Sequence, residues 1–136
     1  MTIEDRRALV DSLQQAPFSG LLGLKIESSA NGDAVVRMPF NLALLNDGGP
    51  KAPVHGGAIA TLADLAACAA VWSLIETTRS ATISMTINYT GFATESDLVA
   101  RAKVRRKGKR IASLSVEIVD DSGALVADAL ITYKIA

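Results

Sequence analysis

Several residue types are scarce in this chain, and each scarcity narrows what the chain can be. The 136 residues include one cysteine and one histidine, together with one Trp, two Tyr and three Phe. A single thiol cannot close an internal disulfide, and one His with one Cys is too small a donor set for a zinc-type site. The few aromatic residues argue against a base-stacking platform. We therefore expect no metal, no cofactor and no nucleic-acid partner.

Neither sign of charge is in excess. Fourteen basic and fourteen acidic residues give a formal net charge of zero, which offers little resistance to self-association. Charges from position 4 onward interrupt any apolar leader, so no signal peptide is predicted and the expected setting is cytoplasmic. Hydrophobic residues make up 49% of the chain against 21% charged, which is typical of one globular domain over residues 1–136.

The longest apolar run covers residues 54–75, where Asp64 is the only charged side chain. The run is long enough to span a bilayer. Against this, an aspartate at mid-span costs about 2.5–3.5 kcal/mol, and alanine adds little hydrophobic drive. The sequence therefore predicts a helix buried inside the protein, and no membrane partner.

The rest of the chain is predicted to be one more helix followed mainly by strands. Residues 1–16 hold an amphipathic N-terminal helix, which Ala16-Pro17 is expected to end. Asn31-Gly32 supplies the turn of a hairpin over residues 21–40. The segment 41–54 is rich in Gly, Pro and Asn and is a predicted loop.

Period-two alternation marks the second half of the chain. It runs through segments 82–89, 97–106, 111–119 and 124–135. In the first of these, Ile83 and Tyr89 belong to the apolar face and Thr82 to the polar face; in the last, Leu125 and Tyr133 share the apolar face. We predict an α+β fold in which a curved antiparallel sheet of five to six strands wraps one long buried helix.

The start of that helix has residues suited to chemistry. Gly56 and Gly57 lie where a helix presents unpaired N–H groups, which can polarise a thioester or carboxylate oxygen. Asp64 follows Gly57 by seven residues on the same face, and it is a candidate general base or nucleophile. The alternative is that Asp64 caps backbone or is a paired core charge. His55 is interpreted as a structural hydrogen-bonder at the helix entry rather than a catalyst, and it is assigned with Gly57 to the substrate-binding residues. Cys68 is interpreted as a small core residue.

A basic cluster covers residues 101–110, in which seven of ten positions are Lys or Arg. One interpretation is a solvated hairpin tip. The other is a phosphate-binding patch, because guanidinium and ammonium groups bind anionic oxygens. The candidate phosphate ligands are Arg106, Lys107, Lys109 and Arg110.

Two segments carry a resemblance to a known family. "HGGAIATLAD" followed by "TISMTINYTGFA" resembles the hotdog-fold acyl-CoA thioesterases of the phenylacetate-degradation (PaaI-like) type, and the likeness covers roughly residues 20–135. The resemblance implies that two subunits join their sheets side by side. It also implies active sites at the dimer interface, in a dimer or a dimer of dimers.

The resemblance also implies roles for single residues. Asp64 matches the family's catalytic carboxylate, Thr82 a residue that holds the nucleophilic water, and Gly56 the glycine whose N–H polarises the carbonyl. Gly56 would come from the neighbouring subunit. The family's polar residue six positions before the histidine is replaced by Gly49, and Asn46 is the candidate to take its place.

The expected function is hydrolysis of an acyl-CoA thioester, with the acyl-CoA as the ligand partner. Two alternatives stay open. One is a hotdog-fold enoyl-CoA hydratase or dehydratase, which needs similar acid–base groups. The other is a non-catalytic acyl-CoA-binding protein.

Overall fold

The computed structural model describes residues 1–76 and 79–136 of the chain. These residues form helices α1 (Ile3–Gln14), α2 (Pro17–Leu22) and α3 (Gly56–Trp72), and strands β1 (Lys25–Ala30), β2 (Asp33–Met38), β3 (Ala81–Tyr89), β4 (Leu98–Lys107), β5 (Ile111–Val119) and β6 (Leu125–Lys134). A short 3-10 turn, Leu42–Leu44, lies in the predicted loop before α3. The predicted α+β architecture is confirmed.

The six strands form one antiparallel sheet in the order β1-β2-β4-β5-β6-β3, so β1 and β3 are its edges. Helix α3 contacts every strand, which requires the sheet to curve around it. Ala63, Ala66, Ala67 and Ala70 on α3 are fully buried. Their small side chains let the strands approach the helix closely, which explains why an alanine-rich helix occupies the centre.

The C-terminal end of α3 is fixed by a side chain of α1. At its C-terminal end, the Arg6 guanidinium on α1 donates hydrogen bonds to the carbonyls of Trp72 (3.0 Å) and Ile75 (2.6 Å). Such a cation satisfies carbonyls that the helix leaves unpaired.

Helix α2 was not predicted, because Pro17 was interpreted only as the end of α1. Proline also suits the first position of a helix, and here it begins α2.

The predicted alternation is wrong at the start of β3. A bulge lies between Thr82 and Ser84 in the pairing with β6, and Ile83 is 55% exposed instead of buried. Because the bulge adds one residue, Thr82 turns to the helix-facing side of the sheet, directly opposite Tyr133. This local irregularity brings Thr82 towards α3.

Alternation in β4 and β5 is confirmed, with alternate residues buried against α3. In β6 it holds from Ala127 to Tyr133 but is wrong at Leu125, which is 41% exposed while Val126 is buried. The pairing with β5 shifts register at this point, which explains the change of face. Among the described residues, no helix combines the length and the apolarity needed to cross a membrane.

Candidate active site

The histidine before α3 has a structural task. His55 is the N-cap residue, and its Nδ1 accepts a hydrogen bond of 2.8 Å from the Gly57 N–H. This satisfies one of the donors that a helix leaves unpaired at its start. The contact supports the interpretation of His55 as a structural hydrogen-bonder.

Gly56 is held in place by a tyrosine. The Tyr89 hydroxyl donates to the Gly56 carbonyl oxygen at 2.8 Å, and a Cβ on Gly56 would lie 3.3 Å from the Tyr89 ring. No acceptor for the Gly56 N–H is found within residues 1–76 and 79–136. A free N–H at a helix start, carrying part of the helix dipole, is suited to an incoming oxygen atom.

Two cavities flank this helix start. One, of about 310 Å³, is lined by Asn46, Gly56, Tyr89 and Phe92 among others. The other, of about 400 Å³, is mainly apolar and includes His55, Gly57 and α2 residues. A thioester has two arms, so space on both sides of one N–H group is compatible with such a ligand.

The structure brings Asn46 to the cavity that contains Gly56. The backbone N–H of Asn46 donates to the Pro53 carbonyl at 2.9 Å, which ties the loop to the segment before α3. Gly49, in contrast, is held within its own turn, where its N–H donates to the Asp47 carboxylate at 2.8 Å. Its position lacks a side chain, so Asn46 is the polar side chain that this loop presents at the cavity.

Asp64 is half-buried and bonded to a hydroxyl group. Thr82 Oγ1 donates to Asp64 Oδ1 at 2.5 Å. This partner is neither a backbone N–H nor a cation, so the described hydrogen bond fits neither part of the alternative interpretation of Asp64. A carboxylate with one oxygen bonded to a hydroxyl can accept a further hydrogen bond or a proton at its second oxygen.

Within one chain, Gly56 and Asp64 are too far apart to act on one carbonyl group. They are eight residues apart on a single helix, which corresponds to about 12 Å along its axis. An oxygen bonded to the Gly56 N–H would therefore lie out of reach of a water held by Asp64 of the same chain.

Two further groups lie beside Asp64 and were interpreted from the sequence only as apolar-face or core residues. Burial raises the pKa of the Cys68 thiol to about 11, and burial is also the main cause that raises the pKa of the Tyr133 phenol. Both groups are neutral near pH 7. Cys68 is partly buried and packs against the hydrophobic core, which supports its interpretation as a core residue.

Two tyrosines near the candidate site, Tyr89 and Tyr133, were not predicted from the sequence to lie there. Both were assigned to the apolar faces of strands. A tyrosine on such a face carries a hydroxyl that needs a partner when buried, and that need was the available signal.

The basic cluster lies at the tip of the β4–β5 hairpin. Arg106, Lys107, Lys109 and Arg110 are exposed there, as a solvated hairpin tip requires. Cross-strand pairing places Lys107, Ala112, Tyr133 and Thr82 in one row across the sheet, so the tip is at the Thr82 end of the molecule. The described contacts do not join these cations to Asp64 or Gly56.

A long central helix wrapped by a curved antiparallel sheet is the architecture of the hotdog class of proteins. The profile of the thioesterase superfamily matches residues 53–127, which is more than half of the chain. A candidate esterase of Halobacterium salinarum is 32% identical over 120 residues, covering 85% of this chain and 79% of that protein. The chain therefore belongs to the thioesterase superfamily.

Solved structures agree with this assignment. A variant of the phenylacetic acid degradation protein PaaI of Thermus thermophilus is 30% identical, with a TM-score of 0.79, and covers 88% of this chain and 99% of that one. A hypothetical thioesterase of Streptococcus pneumoniae, solved with coenzyme A, has a TM-score of 0.81 at 23% identity, covering 93% and 96%. The fold is a hotdog fold of the PaaI type, and the family supports hydrolase activity.

Proposed function

We propose that this protein hydrolyses acyl-CoA thioesters to a free acid and coenzyme A. The observation that carries the proposal is the half-buried Asp64 carboxylate, held through one oxygen by Thr82 on the bulged start of β3. Such a carboxylate is oriented and has one oxygen available as a general base. The family and the PaaI-type fold support a thioester as the bond that is cleaved.

The second oxygen of Asp64 accepts a proton from a water molecule, and the water oxygen bonds to the thioester carbon. The carbonyl oxygen becomes an oxyanion and is stabilised by a Gly56 N–H. Collapse of this intermediate breaks the C–S bond, and the leaving thiolate takes the proton from Asp64. Asp64 can instead attack the carbon directly: the C–S bond breaks, coenzyme A leaves as the thiolate, and water hydrolyses the resulting anhydride to the free acid and the Asp64 carboxylate.

In the proposed reaction, the Thr82 hydroxyl oxygen acts as a hydrogen-bond acceptor. Its hydroxyl has a single proton, and that proton is donated to Asp64. Thr82 can therefore hold the reacting water only by accepting a hydrogen bond from it.

The site proposed here is shared by two copies of the chain. Because Gly56 and Asp64 of one chain are separated by about 12 Å, the N–H that serves Asp64 comes from a neighbour. Thr82 and Tyr89 lie near opposite ends of β3. Antiparallel pairing of two β3 edges brings the Thr82 end of one strand beside the Tyr89 end of the other. Because the Tyr89 hydroxyl is hydrogen-bonded to the Gly56 carbonyl, Gly56 also lies at the Tyr89 end of β3.

The edge of β3 supports this pairing. The strand has nine residues and pairs only with β6 among the described strands, and Ile83 and Tyr89 on it are 55% and 51% exposed. Long edges with exposed apolar residues are normally covered. We propose a homodimer through β3, alone or as half of a dimer of dimers.

The basic hairpin tip is proposed to bind the coenzyme A phosphates. Arg106, Lys107, Lys109 and Arg110 are exposed at the Thr82 end of the sheet, a few strands from the reacting groups. The pantetheine arm of coenzyme A separates its thiol from its phosphates, so such a distance is needed. The same fold holds coenzyme A in the Streptococcus pneumoniae protein.

The test is release of free thiol from a panel of acyl-CoA thioesters that includes phenylacetyl, benzoyl and aliphatic acyl groups. We expect hydrolysis by the unaltered protein and a loss of about a thousandfold or more in Asp64→Asn, which keeps the shape and removes the base. Asp121→Asn makes the same change on an exposed turn and should leave the rate unchanged. Full activity in Asp64→Asn would contradict the mechanism.

The same panel, extended by an enoyl-CoA and by a measurement of acyl-CoA binding, separates the two alternatives. A hydratase would add water to an enoyl-CoA without releasing thiol. A binding protein would hold acyl-CoA tightly, again without thiol release. Either result from the folded, unaltered protein would replace the thioesterase proposal.

A further inference from the structure

The two cavities that flank the start of α3 are lined by consecutive glycines. The cavity of about 310 Å³ includes Gly56, and the cavity of about 400 Å³ includes Gly57. We name them the Gly56 cavity and the Gly57 cavity. A carbonyl oxygen bonded to the Gly56 N–H therefore lies between them, and each cavity receives one arm of a bound thioester.

The Gly56 cavity carries polar groups and lies at the proposed dimer interface. Its lining includes Asn46, Tyr89 and Phe92, of which Tyr89 ends β3. In the proposed antiparallel pairing of two β3 strands, the Thr82 end of the other copy lies beside this cavity, together with the basic hairpin tip of that copy. The amide-containing pantetheine arm and the phosphates of coenzyme A therefore fit on this side.

The wall of the Gly57 cavity is mainly apolar. Helix α2, the segment 42–45 and the first turn of α3 contribute side chains to it, among them Phe18, Leu21, Leu22, Leu44, Leu45 and Ala58. In the part of the chain that the structure describes, no Asp, Glu, Lys or Arg lines this cavity. Such a wall favours an apolar ligand.

The two polar side chains on this wall are bonded to the backbone of α3. His55 Nδ1 accepts a hydrogen bond of 2.8 Å from the Gly57 N–H, and Thr61 Oγ1 donates one of 2.8 Å to the Gly57 carbonyl. A hydroxylated or charged acyl group would gain few partners here in exchange for the water that it loses.

Exposed apolar side chains border the same cavity. Phe18 and Leu21 are 58% and 74% exposed, and they lie three residues apart on one face of α2. Exposed apolar groups beside a cavity are typical of a ligand-binding groove. Both residues precede residue 53, where the match to the family profile begins, so the family assignment does not account for them.

We infer that the Gly57 cavity binds the acyl group, and that the preferred substrates are unbranched aliphatic acyl-CoA thioesters of about ten to twelve carbons. The inference rests on the proposed function. The cavity of about 400 Å³ has room for roughly a dozen methylene-sized groups at about 30 Å³ each. A phenylacetyl or benzoyl group has fewer carbon atoms and would leave a large part of the cavity unfilled.

A series of acyl-CoA thioesters from acetyl to dodecanoyl tests the substrate class, with each thioester kept below the concentration at which it forms micelles. We expect kcat/KM to rise about threefold for each added methylene group up to about decanoyl. Phenylacetyl-CoA should be hydrolysed with a kcat/KM at least about tenfold below that of decanoyl-CoA. A preference for phenylacetyl-CoA or acetyl-CoA would overturn the inference.

Two variants test the assignment of the cavity. Ala43→Phe adds a ring to the cavity wall on an exposed turn. It should lower kcat/KM about tenfold or more for decanoyl-CoA and leave butanoyl-CoA within about twofold. Leu42→Phe, an exposed change on the same turn but outside the lining, should leave both values unchanged. Phe18→Ala should lower kcat/KM for decanoyl-CoA alone, by about threefold to tenfold.

Phe92→Ala tests the assignment of the other arm. Phe92 lines the Gly56 cavity and is 84% exposed. Since all substrates share coenzyme A, this variant should change kcat/KM by the same factor for butanoyl-CoA and decanoyl-CoA. If Phe92→Ala removed the chain-length preference while Ala43→Phe and Phe18→Ala left it intact, the two arms would be reversed and the inference overturned.

A binding measurement gives a readout that does not depend on turnover. In Asp64→Asn, calorimetry should show tighter binding of decanoyl-CoA than of free coenzyme A, and adding Ala43→Phe should remove most of that difference. Equal affinities in Asp64→Asn would overturn the inference alone, as would hydrolysis by the unaltered protein without any chain-length preference. Absence of any hydrolysis by the unaltered, folded protein would overturn the proposed function and this inference together.

Discussion

At the scale of single residues, the Asp64–Thr82 pair depends on one hydroxyl proton. Thr82 donates it at 2.5 Å to Oδ1 of the carboxylate. Without that bond the carboxylate could rotate, and the oxygen that is proposed to accept the proton of the reacting water would no longer be fixed. A hydrogen bond to a charged group is among the stronger ones in proteins, so its loss should be measurable.

Thr82→Val keeps the branched shape and removes the hydroxyl. We expect kcat to fall about tenfold to a hundredfold, because the charge-assisted bond of about 1.5–3 kcal/mol is lost. Steady-state hydrolysis of the best substrate in the panel gives this value. Thr86→Val, on the exposed outer face of the same strand, is the matched control. An equal fall in kcat in both variants would mean that valine anywhere on β3 disturbs the strand, and that the Thr82 hydroxyl has no role of its own.

Cys68 provides a pH-dependent test of burial. Its pKa is raised from 9.0 to about 11 because the thiol is buried. At pH 8 the folded protein should therefore react with a thiol reagent about a hundredfold more slowly than the unfolded chain, since only the thiolate reacts. A stopped-flow thiol titration in buffer and in denaturant compares the two rates. Equal rates would show that the thiol is not buried.

The same shift predicts the sign of a stability change. The unfolded thiol loses its proton near pH 9, whereas the folded thiol keeps it to about pH 11. The folded state therefore binds more protons between these values, and the free energy of unfolding should fall as pH rises through this window. Below pH 9 the contribution is fully present.

At the scale of elements, α3 is held at both ends by side chains. His55 satisfies the Gly57 N–H at the start, and Arg6 satisfies the Trp72 and Ile75 carbonyls at the end. The site is built at the start of this helix and two turns along it. Firm ends therefore keep Gly56 and Asp64 at fixed positions relative to the sheet.

Arg6→Met retains most of the aliphatic stem and removes the donors. We expect the free energy of unfolding to fall by about 1–2 kcal/mol, because two carbonyls lose a charged partner. Denaturant unfolding monitored by the single tryptophan measures the loss. Arg7→Met, an exposed change on the same helix, should leave stability within about 0.5 kcal/mol.

Much of the element pattern could be predicted from the sequence. Apolar alternation predicted β4 and β5, and an alanine-rich run predicted a buried helix, because both patterns follow directly from burial. The bulge at Ile83 could not be predicted this way, since the sequence around it alternates without a break. Alternation assigned Thr82 to the outer face, and only the family resemblance assigned it to the site.

Two other features, the start of α2 and the hydrogen bond between Tyr89 and Gly56, were also not predicted from the sequence. Pro17 can end one helix or begin another, and the sequence was interpreted for the first role alone. The hydrogen bond from Tyr89 to Gly56 joins residues that are 33 positions apart, so no local pattern predicts it. The start of α2 is a local choice that the sequence allows, whereas the bond from Tyr89 to Gly56 depends on tertiary packing.

At the scale of the whole molecule, the proposed reaction requires two chains. The net charge is zero, the β3 edge is exposed, and the two groups proposed to act on one thioester lie about 12 Å apart within one chain. In the proposed dimer, pairing of two β3 strands covers the edge and brings the Gly56 N–H of one copy beside Asp64 of the other.

The most direct test of this claim is to mix two inactive variants. Asp64→Asn lacks the base, and Gly56→Val adds a side chain that would meet the Tyr89 ring and block the N–H. Mixed dimers contain one site with both groups intact, so the mixture should regain about a quarter of the activity of the unaltered protein. An inactive mixture, with mixed dimers demonstrated by native mass spectrometry, would contradict a site shared between two copies.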